Sequence, residues 1–249
     1  MKRLLIPAVL ILWGCGGEGG AGGEAGGGAP AAEPLGTAVI AGAVRFEGTP
    51  PANPEIDMSD EPACAEAHGE MAVSPQVVVS DGRLANVFVR VTSGLPDGPY
   101  PMPSTPAVID QRGCLYEPRV LGVMVDQPLE IRNSDSLLHN IKAVPSENRG
   151  FNISQPTAGM TSTRRFSVPE VMVPFECNVH GWMMAFVGVV EHPYFGTSGT
   201  DGAFRIEGLP AGTYTLEAWH ERLGTQTAEV TVADGETASV TFTFTAPTS

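Results

Sequence analysis

The chain has 249 residues, of which 42% are hydrophobic, with 30 Gly and 22 Pro, a balance that suits a packed core broken by many turns and excludes an intrinsically disordered chain. Its 14 basic against 28 acidic residues give a formal charge of −14; with no basic stripe to neutralise phosphates, nucleic acid is excluded as a partner. The length leaves room for one large β domain or two small ones.

Residues 1–14 open with Met1-Lys2-Arg3 and continue as an apolar run from Leu4 to Gly14, the pattern of an export signal, too short to span a bilayer. Cys15 follows Leu12-Trp13-Gly14, which resembles the lipobox of bacterial lipoproteins. The resemblance implies that the signal is removed and Cys15 is acylated, so that the protein is exported and anchored by lipid to a bacterial membrane, facing the periplasm or the cell surface. The membrane is then a partner only through that anchor. Losing Lys2 and Arg3 would take the formal charge from −14 to −16. Residues 15–35 are almost entirely Gly, Ala, Glu and Pro, which cannot bury enough apolar area to offset chain entropy and read as a flexible linker.

Beyond the linker the strongest local signals are strands. Thr37 to Phe46, Gln76 to Ser80, Leu84 to Val91 and Val120 to Val125 are β-branched runs closed by Gly, Pro, Asp or Asn. Leu129 to Asn133, Thr163 to Ser167, Val171 to Cys177 and Ala185 to Glu191 continue the series. Short strands with turn signals about every ten residues predict an all-β sandwich or barrel. Only Glu61 to Glu70 offers a turn or two of helix, ended near Gly69. Cys64 and Cys114 lie in turn-rich stretches, and an exported location permits a disulfide between them. Two free thiols, or a metal held by Cys64 and His68 at helical spacing, are the alternatives. Cys177 is the odd thiol, which needs a reason to stay unpaired in an oxidising compartment.

That reason lies between Leu129 and Phe186. Asn133-Ser134-Asp135 and then His139-Asn140-Ile141 lie at the end of one strand, and Phe175-Glu176-Cys177-Asn178-Val179-His180-Gly181-Trp182-Met183-Met184 leaves another. The set resembles the cupredoxin family, in its plastocyanin-like branch. The resemblance implies a Greek-key β-sandwich holding one copper ion through His139, Cys177, His180 and a methionine. Thiolate, two imidazoles and a weak thioether are the donors that suit copper in both oxidation states. The methionine is Met183 by the spacing of binuclear copper A centres, or Met184 by that of azurin-like members; a binuclear site would need a second cysteine in the loop. Asn140 would tie the His139 and Cys177 loops together, Phe175, Trp182 and Phe186 would pack around the site, and Trp182 could instead lie at the surface beside His180. His192 and His220 lack a partner set, His192 being structural and His220 able to face the copper domain.

After Phe195 the texture changes. Asp201-Gly202-Ala203-Phe204-Arg205-Ile206 with Gly208-Leu209-Pro210-Ala211-Gly212-Thr213-Tyr214 resembles the carboxypeptidase regulatory-like module, a small carbohydrate-binding-like β-sandwich. The organisation is then an N-terminal strand and connecting segment (36–72), a cupredoxin-like domain (73–195) and a carboxypeptidase regulatory-like domain (196–249). A complete module of that family starts with a strand like Ala38 to Phe46, so this strand is a candidate to complete the C-terminal sandwich, with the copper domain inserted between. No nucleophile elbow, phosphate loop or zinc helix is present, and no enzyme is expected. The leading function is electron transfer through an exposed edge of His180 to a redox partner protein in the cell envelope. The alternatives are a binding module for carbohydrate or protein, with Tyr214 and Trp219 as stacking aromatics, and a copper store.

Overall fold

In the computed structural model, residues 34–69 and 71–247 are described. The export signal, Cys15 and nearly all of the linker lie outside them. Among the described residues no helix is long and apolar enough to cross a membrane. The chain is all-β. Its elements run β1 (Ala38–Glu47), β2 (Glu55–Asp57), α1 (Pro62–His68), β3 (Met71–Val73), β4 (Val79–Ser80), β5 (Arg83–Leu84), β6 (Phe88–Ser93), β7 (Ala107–Arg112), β8 (Leu115–Glu117), β9 (Val120–Met124) and β10 (Leu129–Asn133). They continue as β11 (His139–Ala143), β12 (Phe151–Gln155), β13 (Thr161–Arg164), β14 (Glu170–Glu176), β15 (Met184–Val190), β16 (Phe195–Thr197), β17 (Ala203–Leu209), β18 (Gly212–His220), β19 (Gly224–Val232) and β20 (Thr237–Thr245).

Strand pairing redraws the domain boundaries at residues 73 and 196. β1 lies between β17, to which it is antiparallel, and β20, to which it is parallel. β6 pairs with β18 and with β16. One sandwich is thus assembled from 38–47, 79–93 and 195–245, around a core that joins Ile40, Val44 and Phe46 to Val89, Val91, Leu216, Phe242 and Phe244. The alternation of β17, with Phe204, Ile206 and Leu209 inward and Ala203, Arg205 and Glu207 outward, is that of a strand buried on one face.

The second sandwich occupies 107–190. One sheet runs β13-β10-β7-β8 and the other β12-β11-β14-β15-β9. Between them pack Ile109, Leu129, Ile131, Ile141, Phe166, Val173, Phe175 and Val187. β7, β11 and β12 were not foreseen, because each carries buried polar residues: Gln111 and Gln155 are fully buried, the Gln111 amide N–H donating to Gln155 Oε1 while Gln111 Oε1 has no partner, and Asn140 is buried at the start of β11.

The segment from Glu55 to Val73 forms a cap. The β2–β3 hairpin and α1 close a small core of Ile56, Met58, Cys64 and Cys114, with Trp182 and Leu137 against it. Pro62 opens α1 and Gly69, at φ +84°, ends it. Cys64 and Cys114 are joined in a disulfide across 50 residues of sequence; closing a loop of that length stabilises by roughly 4 kcal/mol through the unfolded state. The cap is fastened to the second sandwich although it branches from the first one.

Candidate metal centre

The site is built where β11 begins and β14 ends. His139 opens β11, instead of ending a strand, and Cys177 follows the last residue of β14. The hairpin from β14 to β15 turns through His180: the Met183 N–H donates to the His180 carbonyl at 3.0 Å and the Cys177 N–H to the Met183 carbonyl at 3.3 Å. This short turn brings the His180 N–H to Cys177 Sγ, to which it donates at 3.3 Å. One ligand atom from each of His139, Cys177 and His180 lies within 4.8 Å of the others, and all three residues are buried. The two Nδ1 atoms are 3.0 Å apart.

Electrostatics in the cluster favour a thiolate. Burial alone would push the Cys177 thiol up, but hydrogen bonds from His139, from His180 and from the backbone N–H groups of His180 and Asn140 outweigh it and bring it down to about 5. The thiolate is therefore the form present through the neutral range and is lost as pH falls through about 5. Cys177 is the free cysteine of the described residues. A buried thiolate between two imidazoles, with a thioether nearby, is a donor set that fits copper.

Alternation separates the two methionines. Met183 is fully buried in the core cluster that contains Cys177, as are Ala185 and Val187. Met184 points to the other face, toward a cleft of about 330 Å³ that it shares with Trp182, Arg119 and the β2–β3 hairpin. The Asn178 N–H donates to Asn140 Oδ1 at 3.1 Å, and Asn140 Nδ2 donates to the Ile153 carbonyl at 3.0 Å, so Asn140 links the His139 strand to the Cys177 loop. Phe175 is in the core beside Cys177. Phe186 is not: it packs on Trp219, ring centroids 5.2 Å apart, at the junction of the two sandwiches.

The exposed edge expected of His180 is absent. His180 is 1% exposed, its Nε2 lies 3.8 Å from Oε1 of Glu61, the cap residue just before α1, and its ring packs on Trp182 at 5.2 Å between centroids. Trp182 is itself only partly buried, and its indole N–H donates to the Cys114 carbonyl at 3.1 Å. The cap, which no sequence signal connected to the site, covers the imidazole. Cys64 is consumed by the disulfide and His68 Nε2 meets the Gly113 carbonyl, which leaves no metal pair there.

The remaining candidates hold structure. Tyr214 is fully buried in the C-terminal core and offers no stacking surface, while the partly buried Trp219 packs against Phe186. His192 bonds to the Val91 carbonyl and accepts from the Tyr194 N–H. His220 is buried; burial, with Arg119 and Arg222 nearby, pulls it down to about 4. Arg119, missed by the sequence reading, forms a two-pronged ion pair with Glu221 while donating to the Met184 carbonyl at 3.2 Å. Asp135, quoted in the motif but given no role, meets His139 Nε2 at 2.7 Å; its place four residues before the histidine was the signal available.

Residues 187–245 match the carboxypeptidase regulatory-like domain. The matched stretch begins inside β15, whose hydrogen bonds go to β9 and β14 of the other sandwich, while β1 takes the place beside β17. No curated protein matches the chain significantly in sequence. Among solved structures, a purple cupredoxin from Nitrosopumilus maritimus is similar over 33% of this chain and 98% of its own, at 23% identity and a TM-score of 0.29. A methionine-to-alanine mutant of amicyanin in its Cu(I) form aligns over 41% and 97%, at 18% identity and a TM-score of 0.31. A Cu-containing nitrite reductase from Thermus scotoductus SA-01 aligns over 40% of this chain and 25% of its own, at 18% identity and a TM-score of 0.31; the chain spans about a quarter of that enzyme.

Proposed function

We propose that the protein is a cell-envelope mononuclear copper protein that relays single electrons, with His139, Cys177 and His180 as the strong ligands and Met183 as the axial one. The observation that carries the reading is the buried cluster of three ligand atoms within 4.8 Å of one another. Copper bound there would supply a one-electron couple. The chain's own part is to hold the ligands so that little rearrangement accompanies the change of charge: the rigid sandwich fixes Cys177 and His139, and Asn140 fixes the loop. The cap keeps water from His180. With that imidazole covered, Trp182 is the side chain through which a redox partner in the cell envelope would reach the site.

The export signal and Cys15 support a lipid-anchored, exported protein, and a structural disulfide suits the same oxidising location. The protein would act without catalysing a reaction of its own.

Copper titration of the protein beginning at Ala21, followed by visible absorption and electron spin resonance, tests the reading. One equivalent is expected to give an intense thiolate-to-copper band that reductant bleaches reversibly. Cys177→Ser abolishes the band, Met183→Leu changes its position, and Met184→Leu leaves it alone. A colourless protein whose Cys177 still reacts freely with thiol reagents in excess copper would overturn it.

A further inference from the structure

His139 has two ring nitrogens with separate surroundings. Nδ1 faces His180 Nδ1 at 3.0 Å, inside the ligand cluster. Nε2 faces Asp135 Oδ2 at 2.7 Å. Asp135 does not reach His139 by chance of a mobile surface carboxylate. Its side chain is 14% exposed; the Gly113 N–H donates to Oδ1 at 2.8 Å and the Cys114 N–H to Oδ2 at 2.9 Å. Its own N–H donates to Asn133 Oδ1 at 2.9 Å. Gly113 and Cys114 both sit at positive φ, +59° and +58°, a turn that aims two consecutive N–H groups at one carboxylate. Cys114 is also the residue that the disulfide fastens to the cap.

We propose that Asp135 is the positioning residue of the metal centre: its carboxylate holds His139 by the proton on Nε2, so that Nδ1 is the nitrogen turned toward Cys177 and His180, and makes that imidazole a stronger donor to the oxidised ion. The second half of the inference rests on the reading of the site as a copper centre; the first half does not. A neutral imidazole has two tautomers, and an acceptor-only carboxylate at one nitrogen selects the tautomer that donates to it. Its negative charge raises the electron density that the other nitrogen offers a metal. The gain is greater for Cu(II) than for Cu(I), because the more highly charged ion benefits more from a stronger donor.

The test uses the whole chain, wild type, Asp135→Asn and Asp135→Ala. In the copper-free protein, nitrogen-15 spectra of the His139 ring report the tautomer. Wild type is expected to carry the proton on Nε2, Asp135→Asn to keep it there through its amide oxygen, and Asp135→Ala to show a mixture. With copper, Cu(II) affinity is expected to fall by about ten- to a hundredfold in Asp135→Ala, with a smaller loss of Cu(I) affinity, and Asp135→Asn to lose Cu(II) affinity while holding Cu(I). A group that merely held the 113–114 turn would weaken both oxidation states alike, in Asn as in Ala, because an amide offers one oxygen where Gly113 and Cys114 each donate to a different one; that result overturns the proposal, as does a wild-type Nε2 without its proton. If the tautomers behave as expected but wild type takes up no copper, the positioning role stands and the reading of the site as a copper centre is what fails.

Discussion

At the scale of single residues, burial decides which titratable groups are tools and which are liabilities. Cys177 and His220 are both buried, yet the thiol is drawn down to about 5 by the donors around it and the imidazole to about 4 by burial and neighbouring guanidinium groups. Donors around Cys177 favour its charged form, the His180 N–H at 3.3 Å from Sγ among them. His220 has one: the Arg222 N–H donates to its Nδ1 at 3.1 Å, and Nε2 has none. The linkage has a definite sign. An unfolded histidine takes up a proton near pH 6.5, the folded one only near pH 4, so the unfolded state binds more protons between those values and stability is lost as pH falls through them. The loss would approach about 3 kcal/mol at pH 4. His220→Asn keeps an acceptor for the Arg222 N–H and cannot titrate. Urea unfolding at pH 7 and pH 4.5 should therefore show a smaller acid penalty in the variant; equal penalties would place the acid sensitivity elsewhere.

At the scale of elements, two glycines set how closely the sandwiches meet. Gly122 of β9 and Gly188 of β15 are paired in register on neighbouring strands. A Cβ on Gly122 would lie 2.4 Å from the Phe195 ring and 2.7 Å from Phe88, and one on Gly188 would lie 2.7 Å from Phe88. The missing side chains make room for two aromatics from the other sandwich, whose centroids are 5.7 Å apart. Gly188→Ala should cost about 1–3 kcal/mol, the range for overpacking a filled core, and Phe88→Leu in the same chain should recover part of it, because the two sites share a contact. Equilibrium unfolding of the single and double variants measures this, and an alanine at 188 that changes nothing would mean the interface is loose. The strands carrying these glycines were legible as β-branched runs. A glycine within such a run also signals close approach, but not by what. The candidate cluster was legible in part for a related reason: Cys177, His180 and Met183 come from one loop, so spacing alone brings them together. The cap over His180 was not: the Cys64–Cys114 disulfide was open to reading, but what it fastens over the imidazole depends on apolar contacts from residues more than a hundred positions away, Ile56 and Met58 beside Trp182.

At the scale of the molecule, the chain makes two excursions from a single β-sandwich. It leaves after β1 to form the cap, returns through β4, β5 and β6, leaves again to form the second sandwich and returns at β16. The second departure and return are neighbours: Phe195 of β16 stands opposite Arg90 of β6, one strand spacing of about 4.8 Å away, so an inserted domain needs no distortion of its host. The cost is that the C-terminal segment is incomplete. β17 and β20 do not pair with each other; β1 lies between them, and the β18–β19 hairpin borders β6. A fragment from Thr197 to Ser249 would leave both edges of β1's slot open and expose Phe204, Ile206, Phe242 and Phe244, which are buried here against Ile40, Val44 and Phe46, and a lone hairpin is marginal in water. That fragment is expected to remain unfolded, with collapsed amide dispersion in its proton–nitrogen spectrum. Adding a peptide spanning Gly36 to Ser93, which carries β1 and β6, should restore dispersed signals at equimolar ratio. Cooperative folding of the fragment alone would mean that β1 is an addition to a finished module, and the second sandwich would then be a neighbour of the C-terminal domain instead of an insertion within it.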